Sequence, residues 1–166
     1  MFEEMTIEMV LERISPWKLI LSWSIVPKEF DTVKHSPYRP GYDWLFTVER
    51  KLFRLIEPRI LEIDDGLIGP GGVLSEGLSN AYCHGHNRNP SLPIKLDVYD
   101  GSVGIVITIT DTGMGFDWKN TLDEMVRGKM FFHCAGNGFR IMNKIQHVKI
   151  NYDNRGNTLV FFIPAN

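Results

Sequence analysis

VLSEGLSNAYCHGHN, residues 73–87, has the apolar spacing of a helix, with Leu74, Leu78, Ala81 and Tyr82 on one side. A second side carries Glu76, Asn80 and His84 at i, i+4 and i+8, so a carboxylate, an amide and an imidazole stand in a row. Solvated helix faces are more often built from Lys and Glu. The segments on either side decide what such a row is for.

Upstream, DDGLIGPGG (64–72) is a breaker cluster, and Pro70 is suited to open the helix, as Gly85 is to stop it. WLFTVERKLFRLIEPRI (44–60) has helical spacing and is expected to kink or end near Pro58. DTVKHSPYRPGYD (31–43) reads as a loop, WKLILSWSIVP (17–27) as a strand, and residues 2–14 as a helix with Phe2, Ile7, Val10, Leu11 and Ile14 apolar. Downstream, PIKLDVYDGSVGIVITITDTG (93–113) holds two β-rich runs around Asp100-Gly101, the signature of a hairpin. In the second run Ile105, Ile107 and Ile109 alternate with Val106, Thr108 and Thr110, which predicts one face in the core. A helix is expected at about 137–146. HVKINYD, a turn at NRGN (154–157), and TLVFFIP form a second hairpin. The order is α, β, α, α, β, β, α, β, β. It predicts an α+β domain, a two-layer α/β sandwich with helices on one face of a mixed, mostly antiparallel sheet.

The 166 residues suit one domain with a sizeable core. A net charge of −2 gives no electrostatic reason to expect nucleic acid. No apolar run reaches the length of a membrane span, and the acidic, amphipathic MFEEMTIEMVLERI is not a secretory signal. Two cysteines, Cys83 and Cys134, form neither a CxxC pair nor a disulfide framework, so a reducing cytoplasm is the expected setting. Cys83, His84 and His86, with His133 and Cys134 further on, match no standard zinc spacing.

ITDTGMGFD (109–117) ends a strand in Asp111, with Gly113 and Gly115 following. A fixed carboxylate accepts a hydrogen bond from an exocyclic amine such as adenine's, and guanine offers a carbonyl there instead. Glycines let the backbone approach a flat ring. The same Asp-Thr-Gly is ordinary turn chemistry, and this stretch alone does not choose between the two. In CAGNGFRIM (134–142), Gly136 and Gly138 lead into a helix, whose free N–H groups suit phosphate. It is neither a Walker A loop nor a Rossmann fingerprint.

Taken in order, E-x-x-x-N-A-x-x-H-G (76–85), D-x-G-x-G-F (111–116) and G-x-G-F-x-I-M (136–142) resemble the Bergerat-fold, histidine kinase-like ATPases. The short form looks most like the bacterial anti-sigma factor serine/threonine kinases, over roughly residues 45–163. The resemblance implies ATP and Mg²⁺ as cofactors. It implies Glu76 as general base and Asn80 as the metal ligand. His84 is a candidate to touch a phosphate or the lid, and equally to face the last carbonyls of its own helix. Asp111 would read the adenine amine, with Gly113 and Gly115 against the base. Gly136 and Gly138 would shape the phosphate loop, and Thr158, in R-G-N-T (155–158), would support the adenine site. Residues 117–135 would be the lid, where Arg127 and Lys129 are candidates for phosphate contact and equally for solvated charge.

Implied partners are a small antagonist protein phosphorylated on Ser or Thr, a sigma factor, and a second copy of the chain. Neither nucleic acid nor membrane is implied. Two other functions fit the same motifs: a stand-alone sensor histidine kinase-type ATPase domain, and a non-catalytic nucleotide-dependent binding module. The domain would span 1–166, with 1–16 as a helical extension. The apolar MFF (130–132) suits either packing on the domain or a partner. Two segments depart from the family pattern: DDGLIGPGG is glycine-rich just before the Glu76 helix, and the 31–43 loop is long.

Overall fold

The computed structural model describes residues 6–60, 66–127, 145, 147–153 and 155–165. Its strands are β1 (Trp17–Ile25), β2 (Ile94–Gly101), β3 (Gly104–Thr110), β4 (Lys149–Tyr152) and β5 (Thr158–Pro164). Its α-helices are α1 (Ile7–Arg13), α2 (Asp43–Ile56), α3 (Val73–Asn80) and α4 (Trp118–Val126). Among the described residues the strands form one open sheet in the order β1-β2-β3-β5-β4, and every neighbouring pair is antiparallel. The α+β class stands, and the sheet, expected to be mixed and mostly antiparallel, is antiparallel at every described pairing.

The period-2 pattern builds the main core. Leu96, Ile109 and Leu159 stand in register across β2, β3 and β5, as do Val98, Ile107 and Phe161. Onto this face α2 lays Trp44, Leu45, Val48, Leu52 and Ile56, and α3 lays Leu74 and Leu78. Each fully buried aliphatic side chain contributes about 1.5–3 kcal/mol, so this face dominates the stability. α3 rests close on the sheet because Gly77 has no side chain. A Cβ there would come within 2.8 Å of Leu159 Cδ2 and 3.0 Å of Phe161 Cζ.

The expectation of helices on one face needs correction. Val10 and Ile14 of α1 pack with Val106, Val160 and Phe162 as a second cluster, separate from the first. Neighbouring strand residues point to opposite sides, so α1 covers the reverse of the sheet. Val106 and Thr108 are therefore buried as well, and β3 is enclosed on both faces.

Several boundaries move for identifiable reasons. α1 begins at Ile7, where the Thr6 hydroxyl accepts the Met9 N–H at 3.3 Å and caps the helix. β1 stops at Ile25, and Pro27 opens a short 3₁₀ turn. The hairpin turns at Ser102-Val103, not at Asp100-Gly101, because Gly101 pairs with Gly104 inside the ladder. The end of α1 holds that position: the Ser102 N–H donates to Ile14 O at 2.8 Å. α2 ends at Ile56, and Pro58 lies in the 3₁₀ turn that follows. Pro70 does not open α3; it sits in the preceding turn, and Gly72 is the N-cap. α4 falls within the segment assigned to the lid, which is thus partly helical. The expected helix at about 137–146 falls almost wholly outside the described residues, as do Gly136, Gly138, Lys129 and 130–132. No described helix is long and apolar enough to cross a membrane.

Candidate functional site

A cleft of about 580 Å³ opens between the C-terminal end of α3, the end of β3 and the β4–β5 hairpin. Asn80 and His84 line it from the helical side, and Asp111, Gly113 and Gly115 from the loop after β3. Two of the three motifs, thirty residues apart in the chain, therefore meet in one cavity. α3 reaches it because Gly77 brings the helix down onto the strand ends, and Gly77 lines the cleft too.

The helical row is not a straight one. α3 ends at Asn80, and residues Ala81–Gly85 continue as a π-helical turn. Such turns recur at functional sites, and their wider spacing breaks the i, i+4 alignment beyond Asn80. His84 reaches the cleft all the same and is exposed. Glu76 is not among the residues that line the cleft. It is only partly accessible, and burial pushes its carboxyl pKa up.

Asp111 is held from several directions. Its backbone N–H donates to Asn157 O at 3.0 Å, and Asn157 Nδ2 donates back to Asp111 O at 3.1 Å. Its Oδ1 accepts the Gly113 N–H at 2.7 Å. Burial pushes its pKa up; the Gly113 N–H opposes that, and the nearby Asp153 charge adds to it. Gly115 adopts φ +77°, and a Cβ there would collide with Arg155 O at 1.7 Å, so the loop closes against the β4–β5 turn. Thr158 is not among the lining residues; its hydroxyl is 3.0 Å from that of Thr110 on β3.

Four contributors were not assigned to the site from sequence. Asn157, within the quoted R-G-N-T, lines the cleft where Thr158 was expected. Phe116 closes one wall and meets the Tyr152 ring edge-on at 5.0 Å. Tyr152, at the end of β4, is nearly buried, and Asn80 hydrogen-bonds to its hydroxyl. Burial, with Glu76 and Asp111 nearby, pushes the Tyr152 pKa up. His86, 2 % exposed, accepts the Thr112 N–H at Nε2, 3.0 Å away, and so fixes the loop behind Asp111. Burial pushes its pKa down. Alternation along HVKINYD was the available signal for Tyr152; His86 stood out only within a Cys/His cluster of no zinc spacing.

The 31–43 loop and the glycine-rich segment before α3 meet at the start of that helix. Tyr38 of the 31–43 loop donates to Glu49 Oε1 at 2.6 Å and lies 3.1 Å from Ser75 Oγ. Ser75 also contacts Glu49 Oε1 closely and donates to Gly69 O at 2.7 Å. Burial pushes the Glu49 pKa up. Oε1 of Glu49 thus gathers the Tyr38 and Ser75 hydroxyls at one point.

Cys83 and His86 are engaged elsewhere, with Tyr42 and Thr112 respectively. Among the described residues no three His, Cys, Asp or Glu side chains gather as a metal site. A divalent cation bound mainly by phosphates needs fewer protein ligands, and the Asn80 carboxamide oxygen suits that role. No protein-family model matches the chain, and no curated protein matches it in sequence.

Proposed function

We propose that the chain is a Bergerat-type ATP-binding protein that acts as a regulatory serine/threonine kinase, an anti-sigma factor in a partner-switching pathway. The observation that carries this reading is the meeting of Asn80, His84, Asp111, Gly113 and Gly115 in one cleft between a helix and the ends of antiparallel strands. A Bergerat site needs that combination: a carboxylate for the adenine amine at one end, here the half-buried Asp111, and an amide oxygen for the metal at the other, here Asn80. Asn80 and the ATP phosphates would hold Mg²⁺, which when bound neutralises phosphate charge.

In transfer, a serine hydroxyl oxygen of the antagonist attacks the γ-phosphorus. The bond to the β–γ bridging oxygen breaks, ADP leaves, and the hydroxyl proton passes to Glu76. A carboxylate of raised pKa is the better base for that step. Glu76 must face the cleft for it, and its place outside the lining supports a second reading, a nucleotide-dependent binding module without transfer.

Thermal unfolding with Mg-ATP and Mg-GTP tests the shared part. A ligand at about a hundred times its Kd adds roughly 2.7 kcal/mol. At about 2–4 °C per kcal/mol, Tm rises by several degrees. A rise with ATP alone, lost in Asp111→Asn, supports the adenine site. No rise with either nucleotide overturns it. Transfer of phosphate to a serine-bearing antagonist then separates kinase from binding module.

A further inference from the structure

The core-facing residues of α2, Trp44, Leu45, Val48, Leu52 and Ile56, leave the opposite side of that helix turned outward. Phe46, Arg50 and Arg54 lie along it at i, i+4 and i+8, so they form one ridge. A groove runs along each flank. One, of about 530 Å³, lies toward β1 and the 31–43 loop, where Leu21, Val33 and Leu55 give it apolar walls. The other, of about 470 Å³, lies toward the segment before α3 and is walled by Pro37, Phe53 and Ile68. Phe46, Arg50 and Arg54 border both. The ridge is cationic. Arg50 and Arg54 are exposed, as is Lys51 beside them. The Arg50 guanidinium is 5.5 Å from the centre of the Phe46 ring, and Lys51 Nζ is 4.1 Å from that of Trp23. Among the described residues none of the three cations is in an ion pair. Of the acids in the second groove, Glu49 is buried beneath Tyr38, and Glu57 lies past the end of α2.

We propose that this face of α2 docks an acidic amphipathic helix of a partner protein, with its apolar side chains in the two grooves and its carboxylates on Arg50, Lys51 and Arg54. A ridge between two parallel grooves is the surface on which a second helix packs, because its own rows of side chains are spaced to fall into such grooves. The apolar walls select an apolar row on the partner, and the unpaired cations select carboxylates beside that row. Arginine and aromatic side chains side by side are also where interface energy concentrates. A nucleic acid would leave the apolar walls unfilled. A membrane would need apolar side chains on the ridge, where guanidiniums stand instead. The inference goes beyond the ATP-site reading and does not depend on it, since no residue of the ridge or of either groove lines that cleft.

The test uses the full chain and two fluorescent peptides of about 18 residues, long enough to form a helix. Both carry leucines at i, i+3, i+4 and i+7; one has Glu beside them and the other Lys. Binding is read by fluorescence anisotropy. The Glu peptide should bind the wild type at least tenfold more tightly than the Lys peptide. Arg50→Glu with Arg54→Glu should reverse that order, and Phe46→Ala should weaken the Glu peptide at least fivefold. Should the charge reversal fold poorly, Arg50→Gln with Arg54→Gln decides, and it should abolish the discrimination. Equal binding of the two peptides by the wild type overturns the proposal, as does Glu-peptide binding that the arginine variants leave unchanged. Tighter wild-type binding of a DNA duplex or of phosphatidylserine vesicles, lost in the arginine variants, overturns it in favour of nucleic acid or membrane. A wild-type dimer in sedimentation that the arginine variants dissociate overturns it in favour of a second copy of the chain.

Discussion

The Asp111 carboxylate lies directly over the Cα of Gly85: a Cβ at residue 85 would come within 2.2 Å of Asp111 Cγ and 2.5 Å of its Oδ1. The last residue of the π turn and the carboxylate after β3 are thus a single packed unit. Gly85→Ala should displace Asp111 while leaving most of the core intact. The expected outcome is a folded protein whose ATP-induced rise in Tm is lost, as in Asp111→Asn. A full ATP response in Gly85→Ala would show that the carboxylate position is not needed.

Glu76 and Asn80 sit one helical turn apart but differ in access to the cleft. Glu76→Gln keeps the shape and removes the base. For a kinase, ATP affinity should stay within a few-fold, and phosphate transfer should fall by about 10²–10⁴. Single-turnover transfer to a serine-bearing antagonist reads this. Equal rates in both proteins would favour the binding-module reading.

His86 holds the loop behind Asp111 as a neutral imidazole, its Nε2 accepting the Thr112 N–H. Burial holds its folded pKa below the ordinary imidazole value of 6.5. The unfolded chain therefore takes up the proton first as pH falls. The associated stability is full above 6.5 and is lost as pH drops through the folded pKa. Denaturant midpoints measured downward from pH 7.5 should fall, and His86→Gln should flatten the decline. A wild-type and variant pair with the same slope would refute this.

Glu49 has the opposite sign. Its folded pKa is raised above 4.5, so its contribution is full below that value and is lost as pH rises through the folded pKa. Glu49→Gln keeps hydrogen-bonding groups for Tyr38 and Ser75 and removes the ionisation. It should be tolerated, and its advantage relative to the wild type should grow with pH. Glu49→Ala leaves buried partners unpaired, at a cost of about 1–3 kcal/mol. Paired urea titrations at two pH values check both.

Much of the scaffold was legible because alternation and helical spacing are local properties. Ile105, Ile107 and Ile109 announced β3, and the Trp44–Ile56 pattern announced α2. Asn80, His84 and Asp111 stood out for the same reason: chemistry-bearing residues at positions where a regular element orders its side chains. The π turn was not legible, since Ala81–Gly85 carries no pattern that distinguishes it from the end of an α-helix. Nor was the turn at Ser102-Val103, which depends on the distant Ile14 carbonyl.

By itself, then, the sequence determined the order of the strands and of the first three helices, the main buried face and the motif residues, because each depends on neighbours within a few positions. Tertiary structure alone decided that α1 covers the reverse of the sheet. It alone brought Asn157 rather than Thr158 to the cleft wall, set Tyr152 against Asn80, and placed His86 behind Thr112. Those relationships join residues tens of positions apart, and long-range packing selects among partners that local sequence leaves equivalent.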